Sequence, residues 1–171
     1  MSAVHRERAD HRSGFAPVVS PSVRPGTPAD RAYVTDLGRR TVVDSVAAFR
    51  PAPEKQLFHA LDRLYESIAY QSHLTLIAEY DGERAGFALF LDDLPDEVTA
   101  LPQGFIAYMA VEPLLRQRGI GSALLAAAEE AARQRGLPYM SLMVTEDNAP
   151  ARALYERRGY LTERRLMSKA L

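Results

Sequence analysis

The residues with the clearest chemical pattern in this sequence form a glycine turn at positions 116–122, which reads RQRGIGS. The turn follows the apolar run at 104–111 and leads directly into an Ala- and Leu-rich stretch. Glycines at 119 and 121 let the backbone turn tightly and approach a ligand with no Cβ in the way. The first amide N–H groups of a helix have no intrahelical partners and carry the positive end of its dipole. The segment therefore predicts an anion cradle suited to a pyrophosphate.

Arg116 and Arg118 add two full positive charges beside this turn. The alternative interpretation is a glycine turn before a surface helix, with both arginines solvated. Two other phosphate-binding motifs do not fit the segment. An NTPase loop needs Gly-Lys followed by Ser or Thr, and no such pair occurs in the sequence. A dinucleotide fingerprint needs a third glycine and a later acid, where this chain has RGLP at 135–138.

The N-terminal half of the chain alternates helical and extended segments that would position this turn. Thr27 is a good N-cap and Pro28 suits the first turn of a helix. Asp81-Gly82 is typical of a tight hairpin turn between two strands. The elements predicted here are an extended start at 22–25, a helix from Thr27 to about Gly38, a loop at 41–53, an amphipathic helix spanning 57–68, and strands at 73–80 and 84–91.

The C-terminal half alternates strand and helix. The run at 104–111 is almost continuously apolar, which is typical of a central strand covered on both faces. The elements predicted here are that strand, a helix at 120–135 ended by Gly136, a strand at 138–145, a helix at 148–158 with Gly159 as C-cap, and a last strand from Tyr160 to about Lys169. Antiparallel strands followed by this alternation imply one mixed sheet with helices on its faces.

Two motifs in this order resemble those of the GNAT superfamily of acyl-CoA N-acyltransferases. The first is an Arg/Gln-x-x-Gly-x-Gly/Ala turn after the fourth strand, which Arg116, Gly119 and Gly121 match. The second is an Asn before a helix that carries Ala-x-x-Leu-Tyr and closes in Gly-Tyr, which residues 148–160 match. The resemblance implies the GNAT fold: an α/β domain with a mixed, mostly antiparallel central sheet, splayed at strands 4 and 5 and flanked by helices on both faces.

The resemblance also implies a reaction. Acetyl-CoA is the expected cosubstrate, and its acetyl group is expected to pass to a primary amine of a small molecule or peptide by direct attack. The first two helices and the loop at 41–53 should form the acceptor side. In that loop Asp44 could attract a cation, but a lone loop acid is usually solvated, and we interpret it so.

The same resemblance assigns site residues one by one. Tyr155 is the candidate acid for the departing thiolate, and its alternative is a half-buried helix tyrosine with its hydroxyl in water. Asn148 is expected to cap its helix and, by resemblance, to hydrogen-bond the pantetheine arm. The residues implied in cofactor binding are Met109, Ala110, Val111, Arg116, Gln117, Arg118, Gly119, Ile120, Gly121, Ser122 and Asn148.

The general base is the weakest part of the pattern. An alkyl amine has a pKa near 10.4, about three units above neutral pH, so it is mostly protonated there and cannot attack. Removing its proton near neutral pH costs roughly 4 kcal/mol. Some relatives carry a glutamate on the fourth strand, where this chain has Phe105 and Ile106. Glu79 and Glu112 are alternatives and Tyr108 could hold a water, so we expect water-mediated deprotonation. The missing carboxylate leaves open a non-catalytic acyl-CoA-binding regulatory domain.

Composition limits the remaining possibilities. The length of 171 residues favours one domain, predicted at 21–171 after a flexible tail at 1–20. A formal net charge of -1 gives no support for a nucleic-acid partner. The absence of cysteine excludes disulfides and thiolate metal sites and fits the cytoplasm, so no metal is expected. No apolar run approaches the roughly 20 residues that span a bilayer, so no membrane partner is expected.

The C-terminal segment after Gly159 raises a question of assembly. It comprises 12 residues, whereas many relatives carry two strands there. The sheet is therefore expected to end in one long strand or to be completed by another chain, which would make the protein a homodimer.

Overall fold

One five-stranded sheet organises the computed structural model, which describes residues 19–171. The predicted tail therefore lies outside the described residues as far as position 18. The strands lie side by side in chain order: β1 (Ser22–Pro25), β2 (His73–Tyr80), β3 (Glu83–Leu91), β4 (Gly104–Val111) and β5 (Met140–Leu142). The helices are α1 (Arg31–Thr41), α2 (Glu54–Ala69), α3 (Ile120–Gln134) and α4 (Ala149–Arg157). The first four strands are antiparallel, and β4 and β5 are parallel.

Helices cover both faces of this sheet. On one face α3 supplies Leu124 and Leu125, which pack with Phe90 of β3 in a fully buried cluster, and α4 borders the same cluster. On the other face α1 and α2 pack with Phe87 of β3. Since Phe87 and Phe90 are both fully buried on opposite faces, β3 is a central strand. The predicted fold class is confirmed.

The sheet is splayed between β4 and β5, as predicted. Their ladder pairs Gly104 with Met140 and ends where Ile106 pairs with Leu142. The strand predicted at 138–145 is therefore only three residues long. Beyond it the chain diverges from β4, so that Met143 is 84% exposed and no backbone partner is left to extend the strand.

The last predicted strand, from Tyr160 to about Lys169, is wrong. Residues 160–171 form no strand, and their backbone contact with the rest of residues 19–171 is a bond from the Tyr160 N–H to the Tyr155 C=O, at 3.0 Å. Side chains hold the segment instead: Arg164 binds Asp96, and Ser168 accepts a hydrogen bond from Arg50. A strand requires a paired neighbour, and apolar content at these positions does not supply one.

The first helix runs three residues further than predicted, to Thr41. Gly38 was interpreted as its end, but this glycine lies inside the helix and is buried. A Cβ built there would lie 2.0 Å from the Tyr65 hydroxyl of α2. Glycine is therefore required for the close approach of α1 and α2 and does not end the helix. A short 3-10 turn, Val42–Ser45, follows, and the remaining predicted loop is irregular as far as α2.

Candidate active site

The glycine turn joins the end of β4 to the start of α3. Gln117 and Gly119 both adopt left-handed backbone conformations, with φ of 65° and 81°. Gly119 is the N-cap of α3, and no side chain caps this helix. The N–H groups of Ile120, Gly121 and Ser122, in the first turn, therefore have no partner within the helix. The positive end of the helix dipole adds to their attraction for an anion.

Gly121 marks the point where three elements meet. A Cβ built at this position would lie 3.0 Å from Cδ2 of Leu154 in α4 and 3.9 Å from Cγ2 of Val111 in β4. Any side chain here would press on Leu154. The start of α3, the end of β4 and the middle of α4 thus converge at the open end of the splay.

The edge of β4 presents unpaired backbone groups to this splay. The Glu112 N–H donates to the Ala85 C=O of β3 at 2.9 Å. Alternate residues of an antiparallel strand turn toward the same neighbour, so Ala110 also faces β3. Met109 and Val111 consequently direct their N–H and C=O groups toward the side of β5, where the ladder has already ended. These two residues are the source of free backbone groups along the gap.

The two arginines of the turn have different partners. Nη2 of Arg116 lies 2.6 Å from Oδ2 of Asp44, in the turn after α1. The guanidinium of Arg118 lies over the ring of Tyr80, 5.5 Å from its centroid. Asp44 remains 44% exposed, and the cation that it attracts is Arg116 of the same chain. Seventy-two positions separate these two residues, and no local pattern signals their contact.

Asn148 begins α4 and caps it, as predicted. Its Oδ1 accepts a hydrogen bond from the Ala151 N–H at 3.2 Å, and its Nδ2 donates to the Asp44 C=O at 3.2 Å. Asp44 is therefore held at two points. Its carboxylate binds Arg116 of the glycine turn, and its C=O accepts from Asn148 at the N-terminus of α4.

Tyr155 lies on α4 directly after Leu154, the residue that contacts the start of α3. Its ring packs on the α3 side of the core and stands 6.0 Å from the ring of Tyr160. Burial raises the pKa of Tyr155 above the ordinary value for a phenol. The hydroxyl is therefore fully protonated at neutral pH and is a hydrogen-bond donor rather than a base.

Comparison with known protein families identifies the same segments. A model of the acetyltransferase (GNAT) family matches residues 41–160, which is more than half of the chain. The chain belongs to the GNAT family. Both motifs from which the resemblance was drawn lie inside the matched residues. No curated protein sequence matches the chain.

Solved structures of acetyltransferases share the fold over nearly their whole length. A Pyrococcus furiosus protein assigned as an acetyl transferase is 28% identical, and the match covers 89% of this chain and 100% of that one with a TM-score of 0.75. The aminoglycoside N-acetyltransferase AAC(6')-Iy, in complex with the bisubstrate analog CoA-S-monomethyl-acetylneamine, is 18% identical, with coverages of 88% and 97% and a TM-score of 0.63. A ribosomal-protein-alanine N-acetyltransferase from Brucella melitensis biovar Abortus 2308 is 21% identical, with coverages of 89% and 99% and a TM-score of 0.63. At such identities the last two establish a common fold and nothing finer.

In this GNAT domain the chain after α1 crosses the open end of the splay. The Thr145 hydroxyl donates to the Ser45 C=O at 2.6 Å, and the Ala48 N–H donates to Oδ2 of Asp147 at 2.9 Å. With the two contacts of Asp44, these bonds tie residues 44–48 to the segment between β5 and α4. The acceptor side predicted from the resemblance is therefore joined directly to the glycine turn.

Tyr108 of β4 lies on the α1 side of the sheet. Its hydroxyl donates to the Gly38 C=O at 3.3 Å and lies 3.4 Å from Oγ1 of Thr41. Burial raises the pKa of Tyr108. The sequence suggests that Tyr108 could hold a water; in the structure its hydroxyl contacts protein groups at the end of α1. Thr41, which no motif singled out, is the second hydroxyl at this point.

Neither carboxylate considered as a base is free. Glu79 of β2 accepts from Nε of Arg24 at 2.7 Å and lies two strands away from β4. Glu112 is bound by both terminal nitrogens of Arg40, at 2.8 and 2.9 Å. Each of the two carboxylates thus already accepts hydrogen bonds from an arginine, and neither is assigned as the base.

Among residues 19–171, no group of three or more His, Cys, Asp and Glu side chains is arranged to hold a metal ion. In the same range no helix combines the length and apolar character needed to cross a bilayer. His59 and His73 are both exposed and far apart in the chain.

Proposed function

We propose that this chain is an N-acetyltransferase that moves the acetyl group of acetyl-CoA to a primary amine of a small molecule or peptide. The observation that carries the proposal is the convergence at Gly121. There an uncapped helix N-terminus, an unpaired strand edge and the helix of Tyr155 meet at one gap. Membership of the GNAT family and the CoA complexes of AAC(6')-Iy support a CoA-type cosubstrate.

Each part of the gap suits one part of acetyl-CoA. The N–H groups of residues 117–122 and the Arg116 and Arg118 side chains would hold the pyrophosphate. The free backbone groups of Met109 and Val111 would pair with the amides of the pantetheine arm, in place of the missing strand. Ala110 would support them through its bonds to β3. The thioester would then lie past Met109, on the side of Tyr108 and away from the glycine turn, within reach of α4 and Tyr155.

In the proposed reaction the amine nitrogen attacks the thioester carbonyl. A C–N bond forms, the C–S bond breaks, and the nitrogen gives up one proton. Tyr155 would donate a hydrogen bond to the departing sulfur. A thiol has a pKa near 8.5 and a phenol near 10, so this bond stabilises the thiolate rather than protonating it outright. The proton that the amine releases completes the thiol.

Removal of the amine proton would use water. Both candidate carboxylates are bound to arginines, so no protein base is assigned. The hydroxyls of Tyr108 and Thr41 lie on the acceptor side of β4, where they could orient a water against the incoming amine. In this proposal two neutral hydroxyls, and no charged group, would stand beside the nucleophile.

The test is thiol release from acetyl-CoA across an amine panel of polyamines, amino acids, aminoglycosides and peptide N-termini. We expect at least one amine to raise the rate of CoA release well above hydrolysis without an acceptor, with the acetylated amine detected by mass. Tight binding of acetyl-CoA with no turnover on any amine would favour the non-catalytic regulatory domain. Failure to bind acetyl-CoA would exclude both.

We further infer that residues 21–171 form the catalytic domain and that the protein works in the cytoplasm. The family model begins at residue 41, and β1 already pairs with β2 from Ser22 onward. The absence of cysteine from the whole sequence is compatible with a reducing compartment.

A homodimer formed at the β5 edge is also proposed. Within residues 19–171, β5 ends the sheet and no strand covers its outer edge. The C-terminal segment after α4 exposes Leu161, Leu166 and Met167 by 91%, 93% and 89% of their surface. An uncovered edge strand and large exposed apolar side chains both favour association with another chain. A second copy would supply the same segment to the same edge by two-fold symmetry.

The dimer is tested by the mass in solution. We expect light scattering to give twice the chain mass of 19.0 kDa, and the double variant Leu166→Asp/Met167→Asp to give the single mass. Tyr70→Asp is the matched control, because Tyr70 at the end of α2 is 92% exposed and lies away from this edge. A wild-type protein that runs at the single mass at micromolar concentration would exclude the dimer.

A further inference from the structure

The ion pair between Arg116 and Asp44 joins the two halves of the site. It connects the proposed pyrophosphate turn to the chain that crosses the acceptor side, at 2.6 Å between Nη2 and Oδ2. The side chains are 47% and 44% exposed, so the pair is open to solvent and to an incoming ligand. Asp44 is the one charged residue in the stretch 42–48, so this is the one ion pair that stretch can make.

A phosphate group and the Asp44 carboxylate would compete for the same guanidinium. Arg binds both groups through the same planar set of N–H donors. A pyrophosphate carries more charge than one carboxylate, and the N–H groups at the start of α3 add to its binding. An exposed ion pair contributes only about 0.2–1 kcal/mol, so the carboxylate is the weaker competitor.

Release of Asp44 would loosen the chain above the gap. Three single hydrogen bonds would still join residues 44–48 to the segment between β5 and α4: Asn148 to the Asp44 C=O, Thr145 to the Ser45 C=O, and the Ala48 N–H to Asp147. The first of these involves the backbone of Asp44 itself, so a shift of this residue after its release would strain that bond. No other charged side chain in 42–48 is present to replace the lost pair.

We propose that Asp44 is an internal competitor for the phosphate site. In the free protein it holds Arg116 and keeps residues 44–48 closed over the gap; bound cosubstrate takes Arg116 and frees this stretch. The inference rests on the proposed function, since it requires a CoA-type phosphate at the turn. It makes the cosubstrate the ligand that frees residues 44–48 on the acceptor side.

The first test measures CoA affinity by calorimetry at low salt. Removal of the competitor by Asp44→Asn should tighten CoA binding by about 1.4- to fivefold, the range that an exposed ion pair represents. In an Arg116→Ala background the same substitution should have no effect, because the contested group is absent. The control is Asp62→Asn, which removes one charge from a similarly exposed Arg–Asp pair between α2 and α1, at 3.0 Å.

The second test follows hydrogen exchange of a peptide covering residues 46–50. CoA should speed exchange of the Ala48 amide in the wild type, whereas Asp44→Asn should exchange fast with or without CoA. Slower hydrogen exchange with CoA, or an unchanged CoA affinity in Asp44→Asn, would overturn the proposal that CoA takes Arg116 from Asp44. Equal tightening in the Arg116→Ala background would overturn it too, since the effect would then be general repulsion.

These outcomes are distinguishable from failure of the proposed function. A wild-type protein that does not bind CoA would overturn both proposals. A protein that binds CoA, but responds to Asp44→Asn no more than to Asp62→Asn, would overturn the competitor role of Asp44 alone.

Discussion

Replacement of Tyr155 by Phe is expected to lower kcat roughly tenfold to a hundredfold while the dissociation constant of acetyl-CoA stays nearly unchanged. The substitution keeps the ring, so its packing on the α3 side of the core and against Tyr160 is retained. It removes the one hydrogen that could be donated to the departing sulfur. A thiolate leaves tolerably without help, which places the expected effect at the low end for an acid–base group.

The pH dependence of this effect has a definite sign. Burial raises the pKa of Tyr155, so its hydroxyl carries its proton throughout the neutral range. The advantage of the wild type over the Phe variant should therefore be constant from about pH 6 to pH 9 and should be lost only above the ordinary phenol pKa of about 10. Rates measured under conditions where chemistry is limiting check this.

Tyr160→Phe is the matched control for Tyr155→Phe. Tyr160 is the neighbouring tyrosine, its hydroxyl is buried as well, and burial raises its pKa to about 12. It follows α4 rather than lying at the gap, so its loss should leave kcat at the wild-type value. If Tyr155→Phe also keeps the wild-type kcat, Tyr155 is a structural residue and another group or water stabilises the departing sulfur.

Gly121→Asp is expected to weaken acetyl-CoA binding at least tenfold, a change of about 1.4 kcal/mol. The new carboxylate would lie at the first turn of α3, where it repels a pyrophosphate and itself accepts from the free N–H groups. Its Cβ would also press on Leu154, 3.0 Å away. An acid near a helix N-terminus favours the helix itself, so the loss of affinity should not come from unfolding. Calorimetry with acetyl-CoA measures the effect.

Gly121→Ala separates charge from packing in this experiment. Alanine introduces the same Cβ against Leu154 without a carboxylate, and the tip of a leucine can move by a few tenths of an ångström. We expect its affinity to stay within about threefold of the wild type, a change of less than 1 kcal/mol. Equal losses in the two variants would assign the effect to packing, and unchanged affinity in Gly121→Asp would remove the pyrophosphate from this turn.

Local chemistry in the sequence determined most of the elements. Asp81 and Gly82 form the predicted hairpin turn with φ of 56° and 78°, because few residue types tolerate such angles. The apolar run at 104–111 forms β4 over the predicted residues, and Gly119 begins α3 in the left-handed conformation. The glycine turn and the cap at Asn148 were likewise predictable, since their conformations depend on residues within a few positions of each other.

Only the tertiary structure decided where elements end. Gly38 continues a helix because Tyr65 of α2 approaches it, and a glycine in sequence does not distinguish a close contact from a helix end. The strand predicted at 138–145 stops at Leu142 because β4 has turned away. The segment from Tyr160 onward pairs with no strand among residues 19–171. Strand length depends on a neighbour that may lie anywhere in the chain.

The same limit applies to the candidate site. The sequence determined that residues 116–122 form a glycine turn before a helix, because turn and helix are local. It gave no sign that Arg116 is bound to Asp44, 72 positions away, or that Arg40 occupies Glu112 at the same separation. Charges attract whichever opposite charge the fold brings near, and side-chain type alone does not specify that partner. The partner of each of these arginines was therefore decided by the fold and not by the neighbouring sequence.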